Sequence, residues 1–120
     1  MKNLIKKILK EYKEEEKILV VPSLKYFGND WNLLQLFLNS KGNPKWKLLD
    51  DLDLDNTPIE SLGNLQYVGG GLYLGNTPIK SLGNLQSVEG NLYLNFTPLS
   101  EKYTEEEIGQ MVNVKGVIFM

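Results

Sequence analysis

Three residue types with distinctive side-chain chemistry, cysteine, histidine and arginine, are missing from this sequence, and each absence excludes a class of site. The chain has no cysteine and no histidine, which excludes disulfides, thiol nucleophiles, Cys/His zinc sites and histidine-based catalytic triads. All thirteen cationic side chains are lysine, so the arginine fork that pairs with phosphates and base edges is also absent. These absences predict a protein that is not an enzyme, holds no metal or cofactor and does not bind nucleic acid directly.

Long apolar runs are missing too. No run approaches the ~18 residues that a membrane-spanning helix needs. Residues 1–9 begin like a signal peptide, but Lys6 and Lys7 interrupt the apolar stretch and no small-residue cleavage site follows. We therefore expect a cytoplasmic protein without a membrane partner.

The 120 residues that are present suit one globular domain, with 42% hydrophobic and 23% charged residues and a formal net charge of −2. The charge is unevenly distributed. Residues 1–50 carry ten lysines and six carboxylates, whereas residues 51–120 carry three lysines and nine carboxylates. A lysine-rich first part therefore precedes an acidic second part.

An internal repeat is the strongest signal in the sequence. Residues 51–70 and 71–90 are identical at fourteen of twenty positions. A third copy starts at residue 91 and resumes at residues 114–120 after a six-residue expansion, and residues 48–54 fit the same frame. Each copy contains a Leu-x-Leu pair, the alternation of a short strand with one buried face. The pattern predicts an α/β solenoid of four parallel turns, or rungs.

The repeat resembles the leucine-rich repeat L-x-x-L-x-L-x-x-N-x-L, with Thr57, Thr77 and Thr97 in the slot usually held by Asn or Cys. That resemblance implies a slot residue that points inward and bonds the backbone of neighbouring turns. The letters SLGNLQSVxG and NTPI are similar to those of short leucine-rich-repeat-like solenoid proteins of bacteriophages and bacteria. The resemblance covers about residues 48–120.

The remaining residues are expected to cover the ends of the stack, because a solenoid must shield its terminal cores. We predict a helical N-terminal cap over residues 1–46, leaving residues 47–120 as the solenoid within a single compact unit. Within the cap, residues 4–12 have helical apolar spacing, and Asp30 can begin a second helix whose apolar face holds Leu33, Leu34, Phe37 and Leu38. Thr104 and Glu107 form a capping box, which predicts a short helix over residues 105–112.

The residue between the two leucines of each pair is predicted to face outward in one row across the sheet. Successive rungs place Asp53, Tyr73, Tyr93 and Phe119 there, about 4.8 Å apart. An exposed aromatic row on the concave sheet face is typical of a protein-binding surface. The alternatives are stacking that only stabilises the sheet, or coverage by the N-terminal segment.

An acidic cluster occupies the first rung, where Asp50, Asp51, Asp53 and Asp55 fall within six residues. Their repulsion could be relieved by a cation such as Ca²⁺, by the lysine-rich cap or by a basic partner. An alternating strand spreads its carboxylates apart, so the pattern favours pairing within the chain or contact with a partner over a metal site.

The sequence closes on Val117, Ile118, Phe119 and Met120, a predicted apolar edge strand. An unpaired strand can accept the strand of another chain, which gives a homodimer or a partner joined by sheet augmentation. The alternative is that the expanded last turn shields this edge.

These patterns lead to two hypotheses about function. The first is a non-enzymatic module that binds a protein partner, basic or itself nucleic-acid-binding, through Tyr73, Tyr93, Phe119 and the acidic rim of Asp51, Asp53 and Asp55. The resemblance to phage proteins narrows this to an inhibitor of a host defence or CRISPR nuclease, in the cytoplasm of a bacterium or an infected cell. The second is a structural protein that assembles with itself through residues 117–120.

Overall fold

Short parallel strands carry most of the architecture. The computed structural model describes residues 18–120, which form a small α/β fold with parallel strands in two sheets and three α-helices. The predicted first helix, over residues 4–12, and residues 1–17 as a whole lie outside the described residues. No helix within residues 18–120 is long and apolar enough to cross a membrane.

The first sheet has five strands in the order β1-β2-β4-β6-β8. Their bounds are β1 Leu19–Val21, β2 Trp46–Leu48, β4 Leu65–Val68, β6 Ser87–Val88 and β8 Asn113–Val114. The Leu-x-Leu pattern did not predict this sheet. Its strands do not contain the leucine pairs, and they include apolar residues such as Val68 and Val88 that lie outside that pattern. The short apolar run that ends in Val21 belongs here, as the strand that pairs with β2.

The second sheet is the one that the leucine pairs predict. It contains β3 Leu52–Asp53, β5 Leu72–Tyr73, β7 Leu92–Tyr93 and β9 Ile118–Phe119, each hydrogen-bonded in parallel to the next. Residues twenty apart pair directly, as Leu52 with Leu72 and Leu72 with Leu92. The last interval is longer, because Leu92 pairs with Ile118. The six-residue expansion is therefore absorbed before β9 without a change of register.

The core lies between the two sheets. The inward residues of the strands and corners are almost fully buried, namely Leu48, Leu52, Leu54, Leu65, Val68, Leu72, Leu74, Ile79, Val88, Leu92 and Leu94. Burial of a Leu or Val side chain contributes roughly 1.5–3 kcal/mol, so these ladders of repeated side chains are the main stabilising feature.

A threonine closes the corner after each of β3, β5 and β7. The hydroxyls of Thr57, Thr77 and Thr97 donate to the carbonyls of Leu54, Leu74 and Leu94, at 2.7, 2.7 and 2.6 Å. The expectation that this slot bonds neighbouring turns is therefore wrong. The threonine side chain is short, so its hydroxyl reaches the carbonyl three residues earlier in its own turn.

The N-terminal part of the described chain seals one end of the core. A 3-10 turn, Leu24–Phe27, is followed by α1, Trp31–Ser40, whose N-cap Asp30 accepts from the backbone N–H groups of Asn32 and Leu33. Leu34 and Leu38 are buried and the Trp31 ring lies 5.9 Å from that of Trp46. Leu33 is 49% exposed, so its predicted place on the buried face is wrong, since it lies one residue off the Leu34–Leu38 stripe.

Two short helices fill the expanded last turn. They are α2, Pro98–Lys102, and α3, Glu105–Met111, and their N-cap residues are Thr97 and Thr104. The predicted capping box is confirmed, because Glu107 N–H donates to Thr104 Oγ1 at 3.2 Å and Thr104 N–H donates to Glu107 Oε1 at 3.0 Å. Ile108 anchors α3, since its side chain is fully buried.

Candidate interaction surface

The predicted aromatic row is present on the outer face of the second sheet. Tyr73, Tyr93 and Phe119 are direct partners in the register of β5, β7 and β9, and Asp53 precedes them on β3. The ring centroids lie 4.6 Å apart for Tyr73 and Tyr93 and 4.7 Å apart for Tyr93 and Phe119, with the planes within 8° and 4° of parallel. We call these three rings with Asp53 the aromatic row.

The orientation of the rings limits what they offer to a partner. Because the rings stack face to face at about the strand spacing, Tyr93 uses both faces on its neighbours and presents its edge and hydroxyl. A Cβ on Gly71 would lie 3.1 Å from the Tyr73 ring, so that ring lies over the glycine. Within residues 18–120, the row therefore stacks across the strands of the sheet and presents ring edges and two hydroxyls.

The electrostatics of Tyr73 favour a neutral hydroxyl. Burial raises the pKa of Tyr73 above the ordinary tyrosine value, and the neighbouring Tyr93, Asp51 and Asp53 raise it further. Desolvation and nearby negative charge both disfavour a phenolate. Tyr73 thus remains a hydrogen-bond donor well above neutral pH.

The aspartates of the acidic cluster accept hydrogen bonds from different parts of the backbone. Asp51 and Asp55 each accept, through Oδ1, a 2.7 Å hydrogen bond from the backbone of the next repeat, from the N–H of Gly71 and of Gly75. Asp53 Oδ1 accepts from Asp55 N–H at 3.1 Å. These carboxylates therefore stabilise the corners of the second sheet and leave their second oxygens without a hydrogen bond from the described residues.

Asp50 joins the first repeat to the N-terminal residues. Its carboxylate accepts from Asp51 N–H at 2.8 Å and from the Ser23 hydroxyl at 3.0 Å. Those two hydrogen bonds, with a smaller contribution from the charge of Lys25, lower the pKa of Asp50. Across residues 18–120, no group of acidic side chains is arranged to hold a metal ion.

A cavity of about 410 Å³ opens between the N-terminal residues and β3. It is lined by Ser23, Leu24, Lys25, Asn29, Asp50, Asp51 and Asp53. A second cavity, of about 430 Å³, adjoins it and shares Leu24, Asn29 and Asp53 with it. Three carboxylates face one lysine in the first cavity, so its walls are negatively charged.

Phe96 is an exposed aromatic residue that sequence reasoning missed. Its side chain is 77% exposed, and its backbone is left-handed with φ 59°. Asn56 and Asn76 hold the same conformation at the equivalent positions, with φ 61° and 55°. Asparagine tolerates that region far better than phenylalanine. The sequence did contain a sign of this conformation. In the aligned triplets NTP, NTP and FTP, the first position is asparagine twice, and asparagine is the residue that a left-handed backbone favours after glycine.

The predicted edge strand lies at the last position of the second sheet. Val117 is 53% and Phe119 43% exposed, while Ile118 and Met120 are partly exposed. β9 pairs with β7 along one side, where Leu92 N–H donates to Val117 O and Leu94 N–H to Phe119 O. Among residues 18–120, no strand pairs with its other side.

Comparison with known proteins adds no relative. No protein family, curated protein or solved structure matches this chain.

Proposed function

We propose that the chain is a leucine-rich-repeat-like solenoid of four rungs that acts as a non-enzymatic protein-binding module. Four pairs of strands recur at equivalent sequence positions in two parallel sheets, which supports the repeat architecture. Stacked repeats generate extended surfaces, and such surfaces commonly serve recognition.

The observation that carries the proposal is the row of aligned rings beside carboxylates whose second oxygens accept no hydrogen bond from residues 18–120. Tyr73 and Tyr93 present rigid edges and hydroxyls, which provide contact area at low entropic cost. Asp51 and Asp55 lie next to Asp53 at one end of the row, and Phe96 projects from the corner after β7. A surface with a rigid aromatic centre and an acidic border fits a protein partner with basic side chains.

The experiment is partner capture with immobilised full-length chain, comparing the wild type with Tyr73→Ala plus Tyr93→Ala. Tyr26→Ala is a matched control, because Tyr26 is 75% exposed and lies in the 3-10 turn rather than in the aromatic row. We expect loss of one specific partner with the double variant and normal recovery with the control. Unchanged recovery in a folded double variant would remove this face from consideration.

The identity of the captured protein tests the narrower form of the proposal. An inhibitor of a host defence or CRISPR nuclease should capture that nuclease and abolish its cleavage activity in a purified assay. A partner without nuclease activity would exclude this narrower form and leave the binding module in place.

Self-assembly through β9 is a second candidate function, supported by one difference in burial. Leu92 and Leu94 are fully buried, but Ile118 and Met120, the next residues along the same ladders, are partly exposed. Pairing with a second copy would cover them.

Light scattering over a hundredfold range of protein concentration tests this self-assembly, and a Val117→Lys variant should shift any dimer to monomer. A monomer at every concentration would exclude it.

A further inference from the structure

The aromatic row begins with a position that has no ring. Asp53 is the direct register partner of Tyr73, so its Cβ occupies the place where an aromatic side chain stands on each later strand. The other face of Tyr73 stacks on Tyr93 at 4.6 Å. A planar group lying above Asp53 would therefore meet the remaining face of Tyr73 at the stacking distance that the row already uses.

The carboxylates of Asp51 and Asp53 each accept a backbone hydrogen bond through one of their two oxygens. Asp51 Oδ1 is held by Gly71 N–H and Asp53 Oδ1 by Asp55 N–H. Each side chain is thus fixed through one oxygen, while its Oδ2 has no hydrogen bond from the described residues. Two fixed carboxylates beside an aromatic face are suited to a forked, planar cation.

There is room for such a side chain beside Asp53. The cavity of about 410 Å³ between the N-terminal residues and β3 has Asp50, Asp51 and Asp53 in its wall, with Lys25 as its one cationic lining residue. Asp50 already bonds Ser23 and Asp51 N–H. The excess of negative charge attracts a cation from outside.

We propose that the position above Asp53 is a slot for an arginine side chain of the partner, which stacks on Tyr73 and pairs with Asp51 and Asp53. This inference rests on the proposed function and names the partner's chemistry. Guanidinium is preferred over ammonium because it is planar, stacks on aromatic faces and binds carboxylates through two parallel hydrogen bonds. The chain has no arginine of its own, so that side chain must come from another molecule.

The test is an NMR titration of the full chain with labelled tyrosine rings, at low salt. The ligands are three capped tripeptides, Gly-Arg-Gly, Gly-Lys-Gly and Gly-citrulline-Gly. The arginine peptide should shift the Tyr73 ring signals and bind at least about threefold more tightly than the lysine peptide, since only arginine stacks and forks. The citrulline peptide, which is planar but uncharged, should cause no shift.

Two isosteric variants separate the slot from general charge attraction. Asp53→Asn should weaken the arginine peptide by about tenfold, because a charge-assisted hydrogen bond is lost. Glu60→Gln removes the same charge from an exposed side chain outside the cavity and should change affinity less than twofold. Lys25→Gln should tighten binding, since it removes a cation from the cavity wall.

Equal affinity for the arginine and lysine peptides, or equal losses in the Asp53 and Glu60 variants, would overturn the proposal. So would unmoved Tyr73 signals, which is the result expected if a lysine of residues 1–17 fills the slot. If the titration fails while Tyr73→Ala plus Tyr93→Ala still abolishes partner capture, this inference falls and the proposed function stands. If the arginine peptide binds but the double variant captures its partner normally, the aromatic row is not the face that binds the partner.

Discussion

At Phe96 the repeat imposes a left-handed backbone conformation that lowers the stability of the folded chain. The corner after β3 and β5 uses left-handed asparagines, Asn56 and Asn76, and the corner after β7 keeps that conformation with a phenylalanine. A left-handed backbone at a residue other than glycine or asparagine costs about 1–2 kcal/mol. The Phe96 side chain recovers little of this through burial, because it is 77% exposed.

Replacing Phe96 with asparagine should therefore stabilise the fold. We expect Phe96→Asn to raise the free energy of unfolding by about 1 kcal/mol, through relief of the left-handed strain. Urea denaturation followed by circular dichroism measures this. The reciprocal change, Asn76→Phe, should be destabilising by a similar amount, and a loss of stability in Phe96→Asn would show that the ring makes a compensating contact.

Asp50 should make stability depend on pH. Its pKa is lowered in the folded chain by hydrogen bonds from Asp51 N–H and Ser23, so the ionised form favours folding. This contribution is present above the unfolded value of ~3.9 and is lost as the pH falls through the lower folded value.

The variant Asp50→Asn tests that assignment. Wild type should be more stable than the variant at neutral pH, and the difference should shrink as the pH falls below the unfolded aspartate value of ~3.9. Denaturant titrations at several pH values measure it. A difference that persists in acid would mean that packing rather than charge is responsible.

Among the structural elements, the three rings of the aromatic row join three strands of only two residues each. Such strands make few ladder hydrogen bonds, so side chains across the strands must supply much of the pairing energy. Tyr93 occupies the middle of the row and stacks on both Tyr73 and Phe119.

Removal of the central ring should be costly. We expect Tyr93→Leu to destabilise the chain by about 1–3 kcal/mol, because two stacked pairs at 0.5–1.5 kcal/mol each are lost. Tyr26→Leu, at an exposed position outside the row, should change stability by less than about 0.5 kcal/mol. Thermal or urea unfolding measures both, and equal effects would show that the rings add nothing beyond exposed contact area.

The capping box of α3 gives a second test at this scale. Thr104→Ala removes the acceptor for Glu107 N–H and should destabilise the chain by about 1 kcal/mol. Thr104→Ser keeps that acceptor and should retain most of the stability. The comparison is by urea denaturation, and an equal loss in both variants would assign the effect to the threonine methyl group.

At the scale of the whole molecule, the sequence predicted what repeats and missed what depends on single positions. A twenty-residue period forces equivalent residues into register, so the order of Asp53, Tyr73, Tyr93 and Phe119 could be predicted from spacing alone. The first sheet could not, because its strands, such as WKL in β2 and SV in β6, share no common pattern of letters. The direction of the threonine hydroxyls and the use of Asp51 and Asp55 as backbone acceptors depend on atomic geometry that the letters do not contain.

The register of the second sheet also makes the molecule extensible. Residues 71–90 pair on one side with the copy before them and on the other with the copy after, through the same hydrogen bonds at Leu52 and Leu72. A tandem duplication of those twenty residues would add one strand to each sheet and one tyrosine to the row, lengthening it by about 4.8 Å. Unequal recombination within the repeat would therefore lengthen this surface while keeping the contacts between the copies already there.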